Sequence, residues 1–192
     1  MPITSVMRYW PVPDSYSKDI PRQGPGSFAE NRQDRIHSGV DIYAPEGAKV
    51  VAIENGLVIA QGIFTSPKLN PYWNKTYYVA IKTNSNFINK FCELKDVVVE
   101  VGDNVKGGQL IGHIGVVLNF RKINEDSPLY IQKLKAANIA SMLHFELYLN
   151  ELVNSENYFS GNWLNYSKMP KNLLDPTRYL LSCRASVLER KI

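Results

Sequence analysis

The sequence predicts a mainly β protein built from antiparallel sheets, and three observations carry that expectation. Most of the chain alternates apolar and polar residues with period two or forms short β-branched runs. Closely spaced turn signals, such as Asn55-Gly56, Gly102-Asp103 and Gly107-Gly108, bound those runs. Only two places carry a helical signal. Many short strands joined by frequent turns point to a sandwich or a partly closed barrel.

Taken in order, AKVVAIENGLVIAQGIF reads as a hairpin, because Asn55-Gly56 separates two apolar runs and supplies the positive φ angles of a type I′ turn. TYYVAIKT and NFINKFCEL form a second strand pair around Asn84-Ser85-Asn86. KDVVVEVGDNVKGGQLIGHIG then holds two further turns and a short strand that ends at Gly115. Ser127-Pro128 suits the N-cap and first position of a helix over LYIQKLKAANIA, in an inserted loop. In the strand SMLHFELYLN, Leu143, Phe145, Leu147 and Leu149 form an apolar core face, leaving Met142, His144, Glu146 and Tyr148 on the other. The polar, aromatic segment NSENYFSGNWLNYSKMPKN reads as a surface excursion, and DPTRYLLSCRASVLER starts a terminal helix at Asp175-Pro176.

Composition narrows the function classes. With 192 residues, 44% hydrophobic and 21% charged, the chain has the makeup of a soluble globular protein with one core. No stretch reaches the roughly 18 apolar residues of a membrane span. The start, MPITSVMRYWPVPD, lacks the basic-then-apolar pattern of a secretory signal, although a leader already removed would leave no trace. The net charge of +4 is spread along the chain, so no nucleic-acid stripe is expected. It reads as a solvated surface or as attraction to a polyanionic matrix such as a cell wall. Cys92 and Cys183 have no CxxC spacing and suggest neither a zinc knuckle nor a redox pair; buried thiols and a disulfide both fit.

Three histidines, His37, His113 and His144, limit any histidine-based site. In HSGVD, an extended backbone puts His37, Gly39 and Asp41 on one face, and Gly39 removes the side chain that would obstruct an ion between the other two. The competing reading is a surface histidine and a turn aspartate. His144 projects away from the core face of its strand. If that face meets HSGVD, then His37, Asp41 and His144 give two nitrogens and one oxygen, the donor set of a three-ligand zinc site with an open position.

These residues sit in blocks that resemble the lysostaphin-type zinc metallopeptidases, which cut peptide cross-links in bacterial cell walls. The blocks are YWPVP near the start, HSGVDIYAPEGAKVVAIENGLV, TYYVAIK, FCELKDVVVEVGDNVKGGQLIGHIG, MLHFEL and DPTRYL, in that order. The resemblance implies a duplicated hybrid motif or barrel-sandwich hybrid, with an inserted helix and a C-terminal helical turn. It implies one peptidase-like domain over 1–192, with a core at 8–180 and insertions at about 116–140 and 151–172. It also implies zinc on His37, Asp41 and His144, and an extracytoplasmic location.

The departures from the family pattern set the functional expectation. Two further histidines, to which the family assigns proton transfer and transition-state stabilisation, are replaced here by Glu93 and Met142. Ala29 stands where a glycine is expected near the groove, and His113 reads as structural or surface. The expected protein is therefore a weakly active or catalytically reduced zinc peptidase of peptidoglycan, with Glu93 as the replacement base. The alternative is a non-catalytic binding or scaffold module, holding peptidoglycan peptide or a protein partner in the old groove; a structural assembly module is the third reading. Exposure of Tyr158, Phe159, Trp163 and Tyr166 would favour binding, whereas burial would make them a satellite core. The residues leave oligomeric state and substrate bond open.

Overall fold

The structure is a computed structural model that describes residues 6–183. Its strands are β1 (Ile36–His37), β2 (Val40–Tyr43), β3 (Lys49–Val51), β4 (Gly56–Thr65), β5 (Thr76–Thr83), β6 (Phe87–Val97), β7 (Asn104–Val105) and β8 (Leu110–Ile114). The helix α1 (Leu129–Ala136) precedes β9 (Met142–Leu149), β10 (Asn162–Trp163), β11 (Leu173–Leu174) and α2 (Thr177–Leu181). Nine strands form one antiparallel sheet with the path β11-β9-β6-β5-β4-β7; β2 joins β9, and β8 joins both β6 and β3. A separate ribbon pairs β1 with β10. The expected mainly β, antiparallel architecture is present.

The hairpin β5–β6 turns where expected, with Asn86 at φ +64. Gly102 and Gly108 likewise take positive φ at the two later turns. The hairpin expected at Asn55-Gly56 does not form. β3 pairs with β8, whereas β4 pairs with β5 and β7. Gly56 is required for a different reason: a Cβ there would lie 2.5 Å from the Lys82 carbonyl oxygen on the neighbouring strand.

α1 is shorter than its apolar pattern suggests, and its cap is Pro128 rather than Ser127, whose hydroxyl instead bonds Asn124. The terminal helix begins after Pro176, with the Thr177 amide bonded to Asp175, and closes at Leu181 with Ser182 as its C-cap, short of the expected run; the part of that run beyond Cys183 lies outside the described residues.

The main core includes Leu143, Phe145 and Leu147 of β9, joined by Val40, Ile42, Phe91 and Leu94, as the alternation in SMLHFELYLN predicts. Leu149 departs from that face and is exposed. The opposite face differs from expectation, because Met142, His144, Glu146 and Tyr148 are also buried. Two smaller apolar clusters cover that side. One gathers Trp73, Val117, Leu118, Ile123 and Ile131 beneath α1, and the other gathers Tyr148, Trp163, Ile88 and Leu173. Of the four aromatics after β9, Tyr158, Phe159 and Trp163 pack inward and Tyr166 is exposed. Cys92 is buried and Cys183 half-buried, both as free thiols.

Candidate metal centre

The site begins where β2 lies against β9. The register places Asp41 opposite His144, and Cys92 of β6 flanks His144 on the other side. The strand of HSGVD is interrupted at Ser38-Gly39, so His37 belongs to the ribbon while Asp41 belongs to the sheet. The two side chains still converge. Gly39 makes this possible, because a Cβ there would sit 2.3 Å from the Phe145 carbonyl oxygen and 2.9 Å from the His144 ring. Gly161, at φ +80, lies equally close to the same imidazole.

Three donor atoms meet at one point. His37 Nε2 is 2.9 Å from His144 Nδ1 and 3.1 Å from Asp41 Oδ1, and His144 Nδ1 is 3.0 Å from the same oxygen. The outer nitrogens fix the tautomers. His37 Nδ1 lies 2.7 Å from the Ser27 carbonyl oxygen, to which it donates. His144 Nε2 donates to Glu146 Oε1 at 3.1 Å. With both outer nitrogens used as donors, the two inner ring nitrogens and a carboxylate oxygen face one another, a cluster that a proton on His144 Nδ1 satisfies and that a bound cation in its place would satisfy equally. Tetrahedral zinc bonds of about 2.0–2.1 Å separate their donors by about 3.3 Å, close to the triangle present here. The donor set therefore fits the metal that the sequence implies.

Charge at the site follows from its burial. Burial opposes ionisation of Asp41, but His37, His144 and Arg32 outweigh it and hold the carboxyl well below the usual range. Arg32 takes the second oxygen of Asp41 at 3.1 Å while also bonding Glu30 and Asn162, so Oδ1 alone faces the histidines. Burial lowers the pKa of His37. Burial works the same way on His144, yet hydrogen bonds to Asp41 and Glu146 raise it to about 9.

A cleft with about 50 Å³ open to water reaches Asp41 and His144 of this triangle, while His37 lies buried behind them. Glu93 and Met142 line it with Asp41 and His144, and Tyr130, Ile131 and Leu134 of α1 form the facing wall. Glu93 is placed by topology. Up to Cys92, β6 pairs with β9; from Leu94 it pairs with β8. Between them Glu93 is the extra residue of a bulge at φ +68, its carbonyl held by the Gly115 amide. Such bulges re-aim a side chain. Glu93 Oε2 is buried without a hydrogen-bond partner, and burial, followed by the charge of Asp41, pushes the carboxyl up to about 8. Glu93 is not among the three residues whose ligand atoms lie within 4.8 Å of one another.

Ala29 adopts φ +58, so the chain keeps the glycine-like backbone at that position despite the substitution. His113 lies away from the triad and bonds Asp96 at 2.8 Å. Arg32 and Glu146 are the site residues that sequence reasoning missed. For Glu146 a signal existed, since it lies two residues from His144 on the same strand face.

The family model for peptidase family M23 matches residues 35–155, which contain all three donors, Glu93 and Met142. The chain belongs to peptidase family M23. An uncharacterized metalloprotease of Buchnera aphidicola is 33% identical over 79 residues, 41% of this chain. The match spans only 19% of that relative's length. Among solved structures, lysostaphin of Staphylococcus simulans, described as an antimicrobial peptidase, superposes with a TM-score of 0.57 at 21% identity, covering 97% of this chain and 57% of that one. A zinc-containing peptidase of Vibrio cholerae gives 0.48 at 24% identity, over 76% of this chain and 37% of that one. The lysostaphin likeness places this M23 chain in the same fold.

Proposed function

We propose that this M23 chain is a zinc-dependent peptidase of weak activity that hydrolyses peptide bonds in peptidoglycan, with His37, Asp41 and His144 holding the metal and Glu93 as the base. The observation that carries the reading is the convergence of two imidazole lone pairs and one carboxylate oxygen. Zinc held there would supply Lewis acidity, polarising a carbonyl and lowering the pKa of water from about 15.7 to about 7. With its carboxyl pushed up to about 8, Glu93 serves as the base only in its ionised form, which a cation bound beside it would favour; its unpartnered oxygen lines the cleft beside Asp41 and His144 and in that form accepts the proton from the attacking water. Met142 contributes only an apolar wall, so the oxyanion loses one partner and the rate falls by about 10²–10³. An extracytoplasmic location follows from a cell-wall substrate.

The narrowness of the cleft and the presence of Met142 favour a second reading, a non-catalytic module that retains zinc and binds a peptide or protein partner in the groove. Digestion of cross-linked peptidoglycan by the zinc-loaded protein, scored by newly released amino groups, separates the two. The enzyme reading predicts slow release that stops on chelation. It also predicts a loss of about 10²–10⁴ in Glu93→Gln with zinc retained, and a gain in Met142→His. Zinc retention without any cleavage selects the binding module, and unimpaired cleavage by Glu93→Gln removes Glu93 from the mechanism.

A further inference from the structure

Glu146 is fully buried in a protein interior, yet it collects five hydrogen bonds. Its Oε1 accepts from Ser38 Oγ at 2.5 Å, Tyr158 OH at 2.7 Å and His144 Nε2 at 3.1 Å. Its Oε2 accepts from Lys90 Nζ at 2.9 Å and Tyr148 OH at 3.0 Å. A carboxylate offers about four lone-pair sites, so this one is saturated and cannot turn. Lys90 is itself buried, donates to Tyr158 OH at 2.5 Å, and stands over the rings of Phe64, Tyr78 and Tyr158. The pair therefore brings equal and opposite charge into the protein interior, with Glu146 wholly withdrawn from water and Lys90 nearly so.

Apolar residues of the same volume fill such a space with no desolvation cost, so an ion pair placed here calls for another explanation. The geometry points to Glu146, held by Lys90, as a positioning residue for the metal ligand His144: it fixes the imidazole with its proton on Nε2 and its lone pair on Nδ1, toward His37 and Asp41. The same contacts bring the segment after β9 into the site. Tyr158 bonds both members of the pair and also accepts from the Gly161 amide, and Gly161 lies against the His144 ring. The excursion that follows β9 is thus a strap that supports the metal ligand from its outer side. Removing outer partners of metal-binding histidines lowers metal affinity by about 10–100-fold.

This inference rests on zinc binding at the triad and is tested by zinc affinity, measured by competition with a chromogenic chelator. Removing one charge alone endangers folding, so two balanced variants are compared. Lys90→Met with Glu146→Leu removes both charges and the acceptor, whereas Lys90→Met with Glu146→Gln removes both charges but keeps an oxygen for Nε2–H. The expected result is a 10–100-fold loss of affinity in the leucine variant and recovery of most of it in the glutamine variant. Wild-type affinity in both, or equal loss in both, overturns the positioning role. Nitrogen-15 spectra of the zinc-loaded wild type give an answer that needs no variant. The proton of His144 is expected on Nε2 in a strong hydrogen bond, and zinc on Nε2 contradicts the inference. A wild type that takes up no zinc overturns instead the metal site on which the inference rests.

Discussion

Along β9, Leu143, Phe145 and Leu147 look into the main core while His144, Glu146 and Tyr148 look the other way, and both sets are withdrawn from water. Equal burial has opposite energetic meaning on the two faces. On the first face burial is itself the stabilising contribution, at about 25 cal/mol per Å² of apolar surface removed from water. On the second, burial opposes every charge present, and the face holds together only because each charge has a partner: Lys90 for Glu146, and Arg32 for Asp41. The apolar face contributes stability directly, whereas the polar one carries the charge network around the proposed metal site.

The largest effects are expected from single changes that leave either face incomplete. Phe145→Ala should cost about 3–5 kcal/mol in thermal or denaturant melts, with or without zinc, because it leaves a cavity in the packed core. The polar face should instead respond to charge balance. Lys90→Met alone should cost about 3–5 kcal/mol by leaving Glu146 buried without its cation, whereas Lys90→Met with Glu146→Leu should recover most of that loss. If the double variant is as unstable as the sum of its single changes, the two faces do not differ in the way described.

A smaller effect, of opposite sign, is expected at Ala29. A left-handed backbone costs a non-glycine residue about 1–2 kcal/mol, and glycine's greater freedom in the unfolded chain returns part of that difference. Ala29→Gly should therefore raise stability by up to about 1 kcal/mol and leave zinc affinity unchanged. A lowered melting temperature would mean that the alanine methyl makes contacts that matter more than the strain.

Much of this contrast was legible in the sequence. The period of two in SMLHFELYLN separated Phe145 from His144, and Gly39 stood out as the missing side chain between His37 and Asp41, although what a side chain there would meet is the Phe145 carbonyl and the His144 ring. The sequence pattern did not reveal that the polar face is covered, because the covering residues come from Trp73, α1 and Trp163, which have no local signature linking them to β9. The pairing of Lys90 with Glu146 spans 56 positions and was invisible for the same reason. Asn55-Gly56 failed in the opposite direction: its local turn signal is strong, but β3 finds its partner in β8. Glu93 was singled out by its place in the resemblance to the family. Its bulge conformation arises from β6 exchanging β9 for β8, a tertiary event that period-two alternation cannot encode.

The central claim is that the polar face of β9 completes a metal site with β1 and β2. X-ray absorption at the zinc edge, combined with elemental analysis of the zinc-loaded protein, tests it most directly. One zinc per chain is expected, coordinated by two imidazole nitrogens and at least one carboxylate oxygen at about 2.0–2.2 Å, and lost in Asp41→Ala and His144→Ala. A wild type that stays metal-free after loading, or a zinc that persists in both variants, would contradict the account.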